Sequence, residues 1–235
     1  MTPTRPLPSR IVGVLRRPRA TFQVLAGSPC SAGVLVVAFL AAASASALVL
    51  ETEVGALALL DQLERTVSAV ERPMDDAQYA VLRDMSEQGT AYGVVTALIG
   101  GPLLAVGLSA VFVGVLRAPA DRGVTYRQVL AVVSHAAVIL ALRQVIAAPL
   151  VYARETMASP LTLGTFVTVL DEASPLARFA GMLDLFILWW LVVLAIGMSV
   201  LYRRPTGRFA LVFTGAYIGG AALVAVALAL TGGAL

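Results

Sequence analysis

Two oppositely charged residues, Arg143 and Asp184, lie inside stretches of sequence that are otherwise apolar. An ionisable side chain at membrane depth is expensive, faces protein or water, and marks a functional candidate by default. Arg143 stands nine residues before Tyr152, the end of its apolar stretch. That is roughly 13 Å in, at the helical rise of about 1.5 Å per residue. Asp184 stands five residues into the next stretch, roughly 8 Å in by the same rise. The depths agree and the charges are opposite, so an Arg143–Asp184 ion pair is expected, with Gln144 beside it. Such a pair either fixes the register of two helices or belongs to a site for a polar substrate or a proton. The sequence leaves both open.

His135, next to Ser134, is the only histidine, and Cys30 is the only cysteine. One imidazole without thiol partners makes a poor metal site, and no nucleophile–base pair accompanies it. A packed or hydrogen-bonded His135 is therefore favoured over a catalytic one. There is no phosphate loop, no HExxH and no GxSxG. No catalytic residue, metal site or cofactor is expected, and the chain reads as a non-enzyme.

Glycines suggest contact rather than chemistry. Gly93, Gly100, Gly107 and Gly114 recur at intervals of seven, and Gly215 and Gly219 form a GxxxG motif. Seven residues make nearly two helical turns, so the first four form one slowly drifting stripe. Small residues let membrane helices approach closely, which is how they associate without a hydrophobic driving force. Packing within or between subunits is the expected role, and a homo-oligomer or another membrane protein is the expected partner. Pro102, after Gly100-Gly101, is a second reading: a bend around a cavity, as in broken transporter helices.

The elements that carry these residues follow from composition. Hydrophobic residues make up 59% of the 235 positions and charged residues 13%, with a mean hydropathy of +0.87. An ordinary soluble domain is about half apolar and about a quarter charged. The expected class is an all-α polytopic bundle with the lipid bilayer as its solvent. About 20 apolar residues in a helix cross the hydrocarbon. Five stretches meet that length, at about 32–50, 91–116, 129–152, 179–201 and 209–230. All seventeen basic residues are Arg, and no basic stripe interleaves with aromatics, so no nucleic-acid partner is expected.

Arginine placement orients the spans. Arg5, Arg10, Arg16, Arg17, Arg19, Arg117, Arg122, Arg127, Arg203, Arg204 and Arg208 fall on one side, with Asp121 as the single acid. The connections at 51–90 and 153–178 hold five Arg and twelve of the fourteen acids. An N-terminus in the cytoplasm and a C-terminus outside it follow, in the inner (plasma) membrane. The first span is expected to be retained rather than cleaved as a signal peptide, because a long basic segment precedes it and further spans follow.

Two connecting segments have character of their own. Residues 1–30 form a basic region in which Ile11, Val14 and Leu15, then Phe22 and Leu25, share faces. That pattern describes amphipathic helix lying in the headgroup plane. The transmembrane domain is 31–235, and its loop 51–90 is long for a structureless connection. Leu60, Leu63, Val67 and Val70 recur at helical spacing there, and Asp75 or Asp76 precedes a second pattern through Tyr79, Leu82 and Met85. A small outer helical hairpin with an acidic wet face is expected.

Three motifs resemble the Yip-one domain (Ypt-interacting protein) family in its prokaryotic form. They are Arg17-Pro18-Arg19-Ala20-Thr21-Phe22 before the first span, Tyr126-Arg127-Gln128-Val129-Leu130-Ala131-Val132-Val133-Ser134-His135 opening the third, and Asp184-Leu185-Phe186-Ile187-Leu188-Trp189 with Leu191 to Gly197 in the fourth. The resemblance implies five spans and a cytoplasmic N-terminal region. Eukaryotic members serve vesicle traffic and associate with small GTPases and with one another. They carry a longer N-terminal region with an Asp-Leu-Tyr-Gly-Pro type motif. This sequence lacks that motif and has about thirty residues before its first span, so the resemblance leaves a small-GTPase partner in doubt. The expected function is a membrane scaffold or organising factor acting through helix association. The alternative is a small transporter or permease component that uses Arg143 and Asp184.

Overall fold

A computed structural model of the chain describes residues 6–68, 76–116, 123–167 and 174–231. The helices are α1 (Leu7–Arg16), α2 (Pro18–Gly27), α3 (Ala32–Leu50), α4 (Glu53–Ser68), α5 (Asp76–Glu87), α6 (Gly89–Val95), α7 (Gly101–Leu116), α8 (Tyr126–Ala136), α9 (Val138–Arg154), α10 (Leu163–Phe166), α11 (Pro175–Met182), α12 (Leu185–Tyr202) and α13 (Thr206–Thr231). Among the described residues the only extended pairing is one antiparallel bridge, Thr162 to Asp184. The fold is an all-α polytopic bundle. Five helical stretches are long and apolar enough to cross a membrane: Ala32–Leu50, Gly89–Leu116, Tyr126–Arg154, Leu185–Tyr202 and Thr206–Ala227. Leu48, Leu103, Leu104, Val115, Leu211 and Leu223 stand exposed on them, as side chains facing lipid do.

The chain forms two compact units, each assembled from separate stretches. Residues 1–42, 97–143 and 186–215 make the first, and 43–96, 144–185 and 216–235 the second.

The first unit has a dense core. Val14, Phe22 and Leu25 of α1 and α2 cluster with Val129, Val132, Val133 and Ala136 of α8 and with Val193, Leu194 and Met198 of α12. Gly197 is what lets these layers meet: a methyl there would collide with Val132 and stand 3.3 Å from Phe22. Phe209 and Phe213 extend the cluster, with ring centroids 5.9 Å apart. Pro18 separates α1 from α2, because proline lacks an N–H and its ring pushes the preceding residue out of the helical region. Arg17 accordingly sits at φ −142°. Thr125 opens α8 with a capping box. Its hydroxyl accepts from the Gln128 N–H, while Gln128 Oε1 accepts from the Thr125 N–H at 2.8 Å. The other end of that amide donates to Ala26 O at 2.8 Å, so one side chain starts α8 and secures the end of α2. Arg19 Nη2 donates to Thr206 Oγ1 at 3.0 Å, which fixes α2 against the turn where Arg203 adopts φ 51°.

In the second unit α4 packs against α5, and each carries one i,i+4 ion pair, Arg65–Asp61 at 3.0 Å and Arg83–Glu87 at 3.4 Å. Asp76 lies in the first turn of α5; Val70 and Asp75, expected to take part in this hairpin, lie outside the described residues. A methyl on Gly93 would approach Leu50 at 2.8 Å, so this member of the glycine stripe is used inside the chain. One boundary differs from the sequence reading. The fourth apolar stretch, expected from about residue 179, is divided: α11 ends at Met182 and α12 begins at Leu185. Ser174 caps α11 by accepting from the Ala177 N–H at 3.1 Å, and Pro175 takes its first turn. Leu183 then turns extended, at φ −89° and ψ 95°.

Between α6 and α7, Thr96–Gly100 forms a turn of π-helix just ahead of Pro102. Proline removes one i to i−4 hydrogen bond and crowds the carbonyl below it, and a wider turn relieves that crowding.

Candidate functional site

Asp184 sits in the gap between α11 and α12, where the fourth apolar stretch is divided. Main-chain pairing builds the gap. The Leu163 N–H donates to Leu183 O at 2.8 Å and the Leu185 N–H to Leu161 O at 3.0 Å. This bridge holds the segment after α9 against the approach to α12. It depends on a glycine: a methyl on Gly164 would lie 2.9 Å from the Gly181 backbone.

The bridge surrounds Asp184, which is 2% exposed, with hydroxyl groups. Ser159 Oγ donates to Asp184 Oδ2 at 3.1 Å. Thr162 and Thr165 both lean on Ser159 O, at 3.5 and 3.4 Å, and their hydroxyls lie 3.3 Å apart. From α13, the Tyr217 hydroxyl donates to Met182 O at 2.6 Å and accepts from the Asp184 N–H at 3.0 Å. One phenol thus serves the last carbonyl of α11 and the first free amide of the break. A buried carboxylate among such groups can hold a charge, accept a hydrogen bond from a polar ligand, or exchange a proton.

Gln144, in the same unit, donates from Nε2 to Ser46 Oγ at 3.0 Å. His135 belongs to the other unit. It is fully buried, and its Nδ1 donates to Ala131 O at 2.8 Å. Of the four candidate polar residues, Asp184 and Gln144 fall in the second unit and Arg143 and His135 in the first. Ser159, Thr162, Thr165 and Tyr217 were not foreseen. Their one legible signal was Ser174-Pro175, which announces a separate helix and hence a break before Asp184.

The glycines divide too. Gly93 meets Leu50, whereas a methyl on Gly107, Gly114, Gly215 or Gly219 meets nothing described within 4 Å.

Five apolar helices, two amphipathic helices ahead of them and a buried polar break define a multi-pass membrane protein. The Yip1 domain model matches residues 12–229, and the chain belongs to that family. No curated protein and no solved structure matches it.

Proposed function

We propose that the protein is a non-enzymatic membrane scaffold or organising factor that works by helix–helix association. One observation carries this reading. Gly107 and Gly114 on α7 and Gly215 and Gly219 on α13 have open space where a side chain would stand. Glycine in a spanning helix is used where another backbone approaches, and these four meet none among the described residues. A second copy or another membrane protein is the partner, in an inner membrane with the N-terminus cytoplasmic and the C-terminus outside. Family membership supports association. The test is the oligomeric state of the purified protein in mild detergent. The parent should cross-link as an oligomer, and Gly107→Leu with Gly215→Leu should shift it to monomer. A parent that runs only as monomer overturns the reading.

The buried Asp184 carboxylate with its hydroxyl surroundings supports a second reading, a transporter component in which Asp184 and Arg143 pair on the substrate path. Asp184→Asn and Arg143→Gln distinguish a structural pair from a functional one. A structural pair predicts lost stability in both. If both variants insert and fold like the parent, the pair is not structural.

A further inference from the structure

Arg10 is the exception among the N-terminal arginines. Arg16, Arg17 and Arg19 are exposed. Arg10 lies one helical turn before Val14, which is fully buried, so it occupies the face of α1 that enters the core. Its Nη1 donates to Cys30 Sγ, and a thiol is a weak acceptor for a guanidinium. Its Nε is buried without a hydrogen-bond partner among the described residues. α1 packs against α8, which carries His135; this residue is fully buried, and its Nε2 also has no hydrogen-bond partner among the described residues. Ser134, its neighbour in sequence, is also fully buried, and its hydroxyl has no hydrogen-bond partner among the described residues. The described residues of this unit include no Asp or Glu. A guanidinium whose Nε is buried is normally matched by an anion, and the described residues of this unit supply none.

We propose that Arg10 and His135, with Ser134 and Cys30 beside them, form a binding site for a phosphate group, supplied by an anionic phospholipid of the leaflet on which α1 and α2 lie. Basic pockets where helices meet the headgroup layer bind such groups. The Arg10 Nε–H is a charge-assisted donor to a phosphate oxygen. A protonated His135 Nε2 would donate to a second oxygen. Arg10 is only partly buried, so the site reaches the surface of the unit at this residue. The inference stands apart from the association reading, because it uses none of the glycine faces.

The sole cysteine reports on the site without any substitution. The full chain, delipidated in a neutral detergent, is reacted with a maleimide at Cys30, which touches Arg10. The probes are dioctanoyl phosphatidic acid, dioctanoyl phosphatidylcholine and inorganic phosphate. Phosphatidic acid should slow alkylation saturably by about fivefold, and net-neutral phosphatidylcholine should not. Protection by the lipid alone assigns a headgroup; equal protection by inorganic phosphate keeps the site and assigns the free ion. Arg10→Gln should raise the half-protecting concentration about tenfold and Arg10→Lys about threefold, while Arg16→Gln changes it less than about twofold. Unprotected wild type, or an equal loss in Arg16→Gln, overturns the site.

Discussion

At Asp184 the decisive groups are hydroxyls. Tyr217 Oη serves two main-chain groups at once, Met182 O and the Asp184 N–H, whereas Ser159 Oγ serves one carboxylate oxygen. Leaving a buried polar group unsatisfied costs about 1–3 kcal/mol, and hydrogen bonds to a charge lie toward the upper end of the range. Tyr217→Phe should therefore lower stability by about 2–4 kcal/mol and Ser159→Ala by about 1–2 kcal/mol. Unfolding of the two variants in mixed detergent micelles checks the order; a milder Tyr217→Phe would mean that other groups or water take over the hydroxyl. Asp184 and Gln144 were legible from the sequence as polar groups among apolar ones. The hydroxyl groups that bind them were not. Ser46, Ser159 and Tyr217 lie 98, 25 and 33 residues from the groups they bind, and a hydroxyl in an apolar or loop segment carries no pattern of its own.

The elements divide along the same line. Periodicity and length indicated the five apolar helices, an amphipathic N-terminal helix, which is two helices in the fold, and the two helices after α3. What a hydropathy window does not register is the close approach of two backbones. Residues 179–182 continue the apolar run into α12, yet they belong to α11, because the bridge at Thr162 and the contact of Gly164 with Gly181 draw the chain aside. This contact is asymmetric, which makes it testable. A methyl on Gly164 meets Gly181 backbone atoms at 2.9 Å, where no rotamer change helps, while a methyl on Gly181 meets nothing within 4 Å. Gly164→Ala should destabilise the protein by about 1–3 kcal/mol through overpacking, and Gly181→Ala should be neutral or mildly stabilising, since it favours the helix. Equal effects in thermal unfolding would remove the close approach as the cause of the break. At the start of α8, Thr125→Ala should cost about 1 kcal/mol as a lost N-cap. Gln128→Ala should cost more, because its amide also holds Ala26 O; hydrogen exchange at the end of α2 should rise in Gln128→Ala and not in Thr125→Ala.

For the whole molecule, charge is partitioned as sharply as the fold. The unit formed by 1–42, 97–143 and 186–215 carries twelve of the seventeen Arg and a single acid, Asp121; the other unit carries thirteen acids and five Arg. Arg resists translocation when it flanks a span in a short loop, and acids contribute little. The Arg-rich connections should therefore stay in the cytoplasm, and an odd number of spans puts the two termini on opposite sides. A fluorescent protein that matures only in the cytoplasm should light up at the N-terminus and stay dark at the C-terminus, and a phosphatase active only outside should do the reverse. The turn between α12 and α13 is where this bias is most open to manipulation, since Arg203, Arg204 and Arg208 lie within six residues. Replacing all three with Asn removes three of the eleven Arg that flank spans on that side, but leaves the five in residues 1–30, which set the first insertion. The triple variant should thus keep its N-terminus inside and show, at most, a mixed report at the C-terminus as α13 loses its anchor. A C-terminal fusion that reads as cytoplasmic in the parent chain would instead mean that one of the five helices does not cross. The Tyr126–Arg154 helix would be the first to examine, because it alone among the five holds both a histidine and an arginine in its interior.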